Sequence, residues 1–291
     1  MRPGIRGGSW RNLVVESCPD GNTAAREYND IMNTHQRILV TGSAGRIGRA
    51  AVAELVARGH IVTGFDIRPT PGLPPERSVV GTLTDVDVMR RAAVGVNAII
   101  HLAATPDDIQ YPRGTPPNDG DNFVAELVPN NIVGPYQVME TARTLSIPRV
   151  ILASTGQVIA GHLLDGNIPV TPQSPPRPRY LYACTKVFLE ALGQVYANEH
   201  GIAVIAVRLG WCPRDAGQVA EIRGSELFQD VFLSPGDAGR FFAATVETPT
   251  LPAFSVLYAT SRFTHLRRYD LSASKDVLGW EPRETWPDGI E

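Results

Sequence analysis

An apolar run that breaks into three spaced glycines constrains this chain more than any other feature. The stretch RILVTGSAGRIG covers residues 37–48 and contains Gly42, Gly45 and Gly48. The apolar run predicts a strand, and the glycines predict a tight turn, a close approach of the backbone to a bound group, and close packing of the next helix. Free N–H groups at the start of that helix attract an anion. The pattern predicts a dinucleotide pyrophosphate on this loop, although such turns also occur without a ligand.

Composition limits the class of protein. The chain has 291 residues, of which 43% are hydrophobic and 20% charged, with a formal net charge of -3 and no long basic run. It can bury a substantial core, and it lacks the charge pattern of a nucleic-acid binder. Its three cysteines have no metal-ligand spacing, and no apolar stretch reaches the roughly twenty residues of a membrane span. We expect a cytoplasmic protein without a metal, a nucleic-acid partner or a membrane contact.

Alternating strand and helix patterns follow the glycine stretch. They predict an α/β fold, a Rossmann-type doubly wound parallel sheet with a small C-terminal substrate lobe. We expect a flexible arm over residues 1–35, a nucleotide-binding domain over 36–210, and a substrate lobe over 211–291 that interleaves with the end of that domain. A helix is expected over residues 122–145 with a kink at Pro135. Residues 214–232 are expected to be irregular.

An aspartate ends the second predicted strand. Asp66 follows the last glycine of the loop at the spacing of about twenty residues at which a carboxylate binds the adenosine ribose. A carboxylate repels a 2′-phosphate, so this residue favours NAD over NADP. The alternative is a turn residue before Pro69. Arg46 and Arg68 can also reach a phosphate, which keeps NADP as the less favoured cofactor.

A tyrosine and a lysine four residues apart carry the predicted chemistry. Tyr182 and Lys186 lie on one face of a predicted helix, where the ammonium lowers the phenol pKa toward the range needed for proton transfer. The same spacing also occurs on solvated helix faces. Here it follows a strand that places Thr155 at its carboxyl end, the ligand-binding edge of an open α/β sheet. His101, at the end of another buried strand, is expected to be packed rather than catalytic.

Together these motifs resemble the extended short-chain dehydrogenase/reductase family, also called the NAD-dependent epimerase/dehydratase family, over residues 37–282. The resemblance rests on Thr41-Gly42-Ser43-Ala44-Gly45-Arg46-Ile47-Gly48, Asp66, His101-Leu102-Ala103-Ala104, Asn131 with Gly134, Thr155, Tyr182 with Lys186, Arg208, and Leu278-Gly279-Trp280-Glu281-Pro282. It implies that Tyr182 is the general acid/base, that Lys186 binds the nicotinamide ribose, and that Thr155 hydrogen-bonds the reacting oxygen. It further implies that Asn131 holds a water or a backbone group behind the lysine.

The resemblance also implies a set of binding residues. Those for NAD are Asp66, Tyr182, Lys186, Gly42, Ala44, Gly45, Arg46, Ile47, Gly48, Leu83, Leu102, Ala103 and Ala104. Those for the substrate are Thr105, Thr155, Gly156, Gln157 and Arg223.

Within the family, the chain looks most like the uronate dehydrogenases. Its C-terminal part is too small to clamp a nucleotide-sugar, and local similarity covers residues 131–136, 182–190 and 207–212. That subfamily uses an arginine to grip the substrate carboxylate, and Arg223 is the candidate here because a guanidinium matches a carboxylate bidentately. The Ser-Asn-His of that subfamily is Thr-Gly-Gln in this chain, at residues 155–157.

The predicted reaction is hydride transfer between nicotinamide and a hydroxyl or hemiacetal carbon of a small sugar acid. Three alternatives stay open: a nucleotide-sugar epimerase or dehydratase, a reductase of a non-sugar carbonyl that uses NADPH through Arg46 or Arg68, and a non-catalytic dinucleotide sensor. The resemblance also implies a homodimer or a higher homo-oligomer. Its apolar stripe is expected at Phe188, Leu192 and Tyr196, unless these side chains pack on the chain's own sheet.

Overall fold

The computed structural model describes residues 35–106 and 123–290. In these ranges seven strands form one parallel sheet in the order β3-β2-β1-β4-β5-β6-β7. The strands are β1 (Arg37–Thr41), β2 (Ile61–Asp66), β3 (Ser78–Val80), β4 (Ala98–His101), β5 (Arg149–Thr155), β6 (Ala203–Leu209) and β7 (Phe254–Ala259). The strand order reverses between β1 and β4, so the predicted doubly wound sheet is confirmed.

Helices cover both faces of the sheet. Those with α-helical hydrogen bonding are α1 (Arg46–Ala57), α2 (Val86–Ala93), α3 (Gly134–Thr144), α4 (Ala160–Leu164), α5 (Leu181–His200), α6 (Ala216–Arg223), α7 (Glu226–Asp230), α8 (Pro235–Glu247) and α9 (Ser272–Leu278). Within the described ranges, none of the helices has the length and apolar character that crossing a membrane requires. Residues 1–34 of the expected arm lie outside the described ranges, and the domain boundary at residue 210 stays a prediction.

Two apolar layers, one on each face of the sheet, form most of the described core, and a smaller buried cluster contains Tyr258 and Tyr269. Successive side chains of a strand point to opposite faces, so Ile38 and Val40 pack under α1 and α8 whereas Leu39 packs under α3 and α5. Strands buried on both faces are apolar throughout, which explains the continuous runs in the sequence. The two layers hold the sheet rigid and leave the carboxyl ends of its strands together at one edge.

The helix expected over residues 122–145 is two segments with different hydrogen bonding. Phe123–Val133 is a π-helix, and α3 begins directly after it. Pro135 lies in the first turn of α3, where its missing N–H costs least. The expected helix is therefore confirmed in extent over residues 123–144, whereas α-helical hydrogen bonding begins only at Gly134, next to Pro135.

The segment expected to be irregular, residues 214–232, contains the two short helices α6 and α7. Each begins at a side-chain cap: Asp215 Oδ1 accepts from the N–H of Gln218 at 2.9 Å, and Ser225 Oγ accepts from the N–H of Phe228 at 3.4 Å. Capping satisfies N–H groups that a short helix otherwise leaves unpaired. The expectation of an irregular segment is therefore wrong.

Candidate active site

The glycine loop brings the ends of three strands into backbone contact. Gly42 has φ +70°, and a Cβ there would lie 2.6 Å from the backbone N of Ala103. A Cβ on Gly48 would overlap the carbonyl oxygen of Gly42. Gly45 caps α1 without a side chain, and the first turn of α1 contains no acidic residue. The loop is therefore a cradle of N–H groups at a helix N-terminus, and it fits a pyrophosphate.

Asp66 ties the end of β2 to this loop. Its Oδ2 accepts from the N–H of Ala44 at 3.0 Å, and its Oδ1 accepts from the N–H of Arg68 at 3.1 Å. Each carboxylate oxygen has two lone pairs, so both oxygens keep capacity for a ribose hydroxyl. The aspartate thus orders the turn and also offers a negative charge at the predicted ribose position.

Asp66→Ser is expected to raise the NADP-to-NAD ratio of kcat/KM by about tenfold or more, because it removes a charge that repels the 2′-phosphate. Initial rates with each cofactor measure the ratio. Asp87→Ser, which also removes a carboxylate but in the first turn of α2, serves as the control. An unchanged ratio would mean that Asp66 acts only in the turn.

Arg46 lies near the thiol of Cys212, which follows β6, whereas Asp66 ends β2 on the other side of β1. The Nε of Arg46 is buried without a hydrogen-bond partner among the described residues. Burial raises the pKa of Cys212 to about 11, and the nearby guanidinium acts in the opposite direction. Among the ion pairs of residues 35–106 and 123–290, none includes Arg46. From this position Arg46 can bind the pyrophosphate. Arg68, which is exposed two residues after Asp66, remains the candidate for binding a 2′-phosphate.

Tyr182 and Lys186 lie in the first turns of α5, at the carboxyl edge of the sheet. The Lys186 ammonium lies 5.5 Å from the centre of the Tyr182 ring and donates to the carbonyl oxygen of Ala153 at 2.8 Å. Burial lowers the pKa of Lys186 to about 8, so this side chain is mostly charged at neutral pH. A cation held beside a phenol stabilises the phenolate, which is the form that accepts a proton.

Thr155 is the last residue of β5 and keeps its hydroxyl proton available. Its Oγ1 accepts from the N–H of Gln157 at 3.3 Å, which places both residues in one tight turn at the sheet edge. An oxygen that accepts in this way can still donate its own proton to a substrate oxygen. Gly156, between the two, is buried.

Asn131 holds the backbone of Thr105. Its Oδ1 accepts from the N–H of Thr105 at 2.8 Å, and its Nδ2 donates to the carbonyl oxygen of the same residue at 2.9 Å. Asn130 adds a third bond, from its Nδ2 to Thr105 Oγ1 at 2.9 Å. The resemblance implied a water or a backbone group for Asn131, and the backbone group it holds is that of Thr105, in the segment leaving β4.

The remaining candidates differ in their environment. Leu83 is buried against the start of α3, where a Cβ on Gly134 would meet its side chain. The candidates Ile47, Leu102, Ala103 and Ala104 are half-buried. Arg223 is the exposed last residue of α6, so its contact with a substrate stays a prediction.

Sequence reasoning missed a buried ionic network behind Lys186. Glu190 pairs bidentately with Arg208, with both N–O distances at 2.9 Å, and it accepts from Ser154 Oγ at 2.6 Å. Arg208 also donates to Tyr258 Oη at 3.0 Å. The available signal was the spacing of residues 182, 186 and 190, because side chains four apart share one helix face.

His101 is packed, as its position in β4 predicted. Its Nδ1 lies 2.8 Å from Thr41 Oγ1, while its Nε2 is buried without a partner among the described residues. Burial, with a smaller effect of Lys186, lowers the pKa of His101 to about 3. The ring is therefore neutral at physiological pH.

Comparison with known proteins gives a consistent set of relatives. The profile of the NAD dependent epimerase/dehydratase family matches residues 38–211. An L-arabinose 1-dehydrogenase (NAD(P)(+)) of Haloferax volcanii is 33% identical over 270 residues, 88% of this chain and 99% of the relative. A uronate dehydrogenase of Pseudomonas syringae pv. tomato is 30% identical over 176 residues, 60% of this chain and 58% of the relative. The solved glucuronic acid dehydrogenase from Chromohalobacter salexigens has 28% identity and a TM-score of 0.66, covering 87% of this chain and 86% of that one.

Proposed function

We propose that this chain, which belongs to the NAD dependent epimerase/dehydratase family, oxidises the hemiacetal carbon of a small free sugar. The predicted family, the NAD cofactor and the class of enzyme, an NAD(P)-dependent dehydrogenase of the short-chain type, are confirmed. The observation that carries the proposal is that Lys186 lies beside the Tyr182 ring and donates to the carbonyl oxygen of Ala153, two residues before Thr155 at the carboxyl end of β5.

Each of these side chains has a defined part in the proposed reaction. The Lys186 ammonium stabilises Tyr182 as a phenolate, the phenolate accepts the proton of the anomeric hydroxyl, and Thr155 donates a hydrogen bond to the reacting oxygen. The nicotinamide, when bound, supplies the hydride acceptor. The sugar loses one hydride from C1 and one proton from oxygen, and the product is a lactone.

A neutral aldose is the preferred substrate. The full-length relative is named an L-arabinose 1-dehydrogenase, whereas the uronate dehydrogenase matches over only part of its length. The predicted sugar acid remains the second candidate, because Arg46 and Arg223 make no ion pair with a carboxylate in the described part of the chain. Either guanidinium suits the carboxylate of a hexuronic acid.

Initial rates of nicotinamide reduction test the proposal. NAD and NADP are each offered with L-arabinose, D-xylose, D-galactose, D-glucose, glucuronate and galacturonate, and the methyl glycosides of the same sugars serve as matched controls. A methyl glycoside has no anomeric hydroxyl, so turnover of free sugars alone supports oxidation at C1. Equal turnover of the glycosides, or no sugar turnover by protein that binds NAD, would contradict the proposal. Turnover of a nucleotide-sugar without net reduction would instead indicate an epimerase.

We also propose that the enzyme is a homodimer through α5. Its outward face carries the exposed residues Leu181, Cys184, Phe188, Ala191 and Val195. For two of the three residues of the expected stripe, the alternative of packing within their own chain holds. Leu192 packs against the core of its own chain, and Tyr196 is buried and donates to Glu140 Oε1 at 2.6 Å. Residues 35–106 and 123–290 leave this apolar row at helical spacing uncovered, and such a row fits a second copy of the chain.

Phe188→Glu is expected to convert the dimer to a monomer, because it places a charge in the centre of this apolar face. Light scattering should then give a mass near 31.5 kDa instead of twice that value. Val94→Glu, at another exposed apolar position, is the control and should leave the mass unchanged. A wild type that is already monomeric, or a Phe188→Glu variant that stays dimeric, would contradict this interface.

A further inference from the structure

We infer that Tyr269 determines substrate specificity by placing its hydroxyl group where a side chain at position 156 would lie. A Cβ built on Gly156 would overlap Tyr269 Oη, with the ring carbon Cζ at 3.1 Å and the carbonyl oxygen of Leu209 at 3.5 Å. The hydroxyl therefore lies against the backbone between the ends of β5 and β6. This is the ligand edge of the sheet, one residue from Thr155. The inference rests on the proposed function.

The position of the Tyr269 side chain is fixed from two sides. Its ring stacks on Tyr258 with centroids 4.8 Å apart and planes 7° apart, and only 2% of the residue is exposed. Its backbone lies beside Val170, with bonds from Val170 N–H to the oxygen of Arg268 at 2.9 Å and from Asp270 N–H to the oxygen of Val170 at 2.8 Å. A side chain held in this way presents its hydroxyl at one place.

The stacking partner connects Tyr269 with the helix that carries the candidate catalytic residues. Tyr258 Oη accepts from Arg208 and donates to the carbonyl oxygen of Thr171 at 3.2 Å, while Arg208 pairs with Glu190 of α5. A continuous set of contacts, from Tyr269 through Tyr258 and Arg208 to Glu190, thus fixes the position of the Tyr269 hydroxyl relative to the helix of Tyr182.

The chemistry of the phenol indicates what it recognises. Burial raises the pKa of Tyr269 well above its usual range, so the group stays neutral and can donate one hydrogen bond and accept another. A carboxylate needs a cation or several donors as its partner, and a neutral phenol supplies only one donor. The Tyr269 hydroxyl therefore matches a sugar hydroxyl next to the reacting carbon better than it matches a substrate carboxylate. Gly156 and Tyr269 together therefore select a neutral aldose and distinguish between epimers at that hydroxyl.

Three variants test the inference. Tyr269→Phe keeps the ring stack and removes the hydroxyl, so kcat/KM for the best aldose should fall by about tenfold, mainly through KM, and the ranking of epimeric aldoses should change. The NAD dissociation constant and Tm should stay as in the wild type. Gly156→Ala should lose activity through overlap with the hydroxyl. The double variant should recover part of the stability that the alanine costs, because the overlap with the hydroxyl oxygen is then gone and the ring carbon at 3.1 Å remains.

The outcomes separate the inference from the proposed function. A wild type that oxidises no free sugar contradicts the proposed function. An active wild type whose Tyr269→Phe variant keeps the same KM and the same ranking of aldoses overturns the inference. Equal losses of Tm from Gly156→Ala in the wild type and in the Tyr269→Phe background also overturn it, since the two groups then do not compete for space. Tyr136→Phe, at an exposed tyrosine, is the control.

Discussion

Tyr182→Phe is expected to lower kcat by about 100- to 10,000-fold while the affinity for NAD stays within about twofold of the wild type. The substitution removes the only atom that accepts the proton and leaves the ring beside Lys186 unchanged. Initial rates at saturating sugar measure the loss, and calorimetric titration with NAD measures the affinity. This result would separate a role in chemistry from a role in cofactor binding.

Tyr180→Phe is the matched control. Tyr180 lies two residues earlier, before the first turn of α5, and is exposed. The same change there should leave both kcat and the affinity for NAD near the wild-type values. If Tyr182→Phe keeps most of its turnover, another group accepts the proton and the proposed mechanism is wrong.

Glu190→Ala is expected to lower the free energy of unfolding by about 3–5 kcal/mol, because it leaves the buried guanidinium of Arg208 without its anion. The side chains of Glu190 and Arg208 are 9% and 3% exposed, so water cannot replace the missing partner without local opening. Ser154 Oγ also loses its acceptor. Urea unfolding followed by circular dichroism measures the change.

Two further variants test whether this loss of stability comes from an unpaired buried charge. Glu54→Ala removes a partner of Arg58 from an exposed pair on α1, and the loss should stay within about 1 kcal/mol. Glu190→Met combined with Arg208→Leu removes both buried charges and should recover most of the stability, since no unpaired charge then remains. A small loss for Glu190→Ala, equal to that of Glu54→Ala, would mean that water reaches the buried pair.

Local patterns were enough to predict the fold and the part of the site that lies along single elements. The glycines at 42 and 48 specify the loop because φ is +70° at Gly42 and a Cβ on Gly48 would overlap the carbonyl oxygen of Gly42, and both limits are set within the loop. The Tyr182–Lys186 pair was equally predictable, since residues four apart on a helix share a face whatever surrounds it. Helix caps are also local signals, so α6 and α7 could have been predicted from Asp215 and Ser225.

The sequence alone therefore determined the sheet, the cradle and the candidate catalytic pair, because steric limits and periodicity act over short distances in the chain. Only the tertiary structure decided that Asn131 holds Thr105, that Arg46 lies near Cys212, and that the Tyr269 hydroxyl lies against Gly156. These partners come from different elements, and their contacts depend on how helices and loops pack over the sheet edge. No local pattern contains that information, since each such contact depends on where a second, distant segment of the chain is placed.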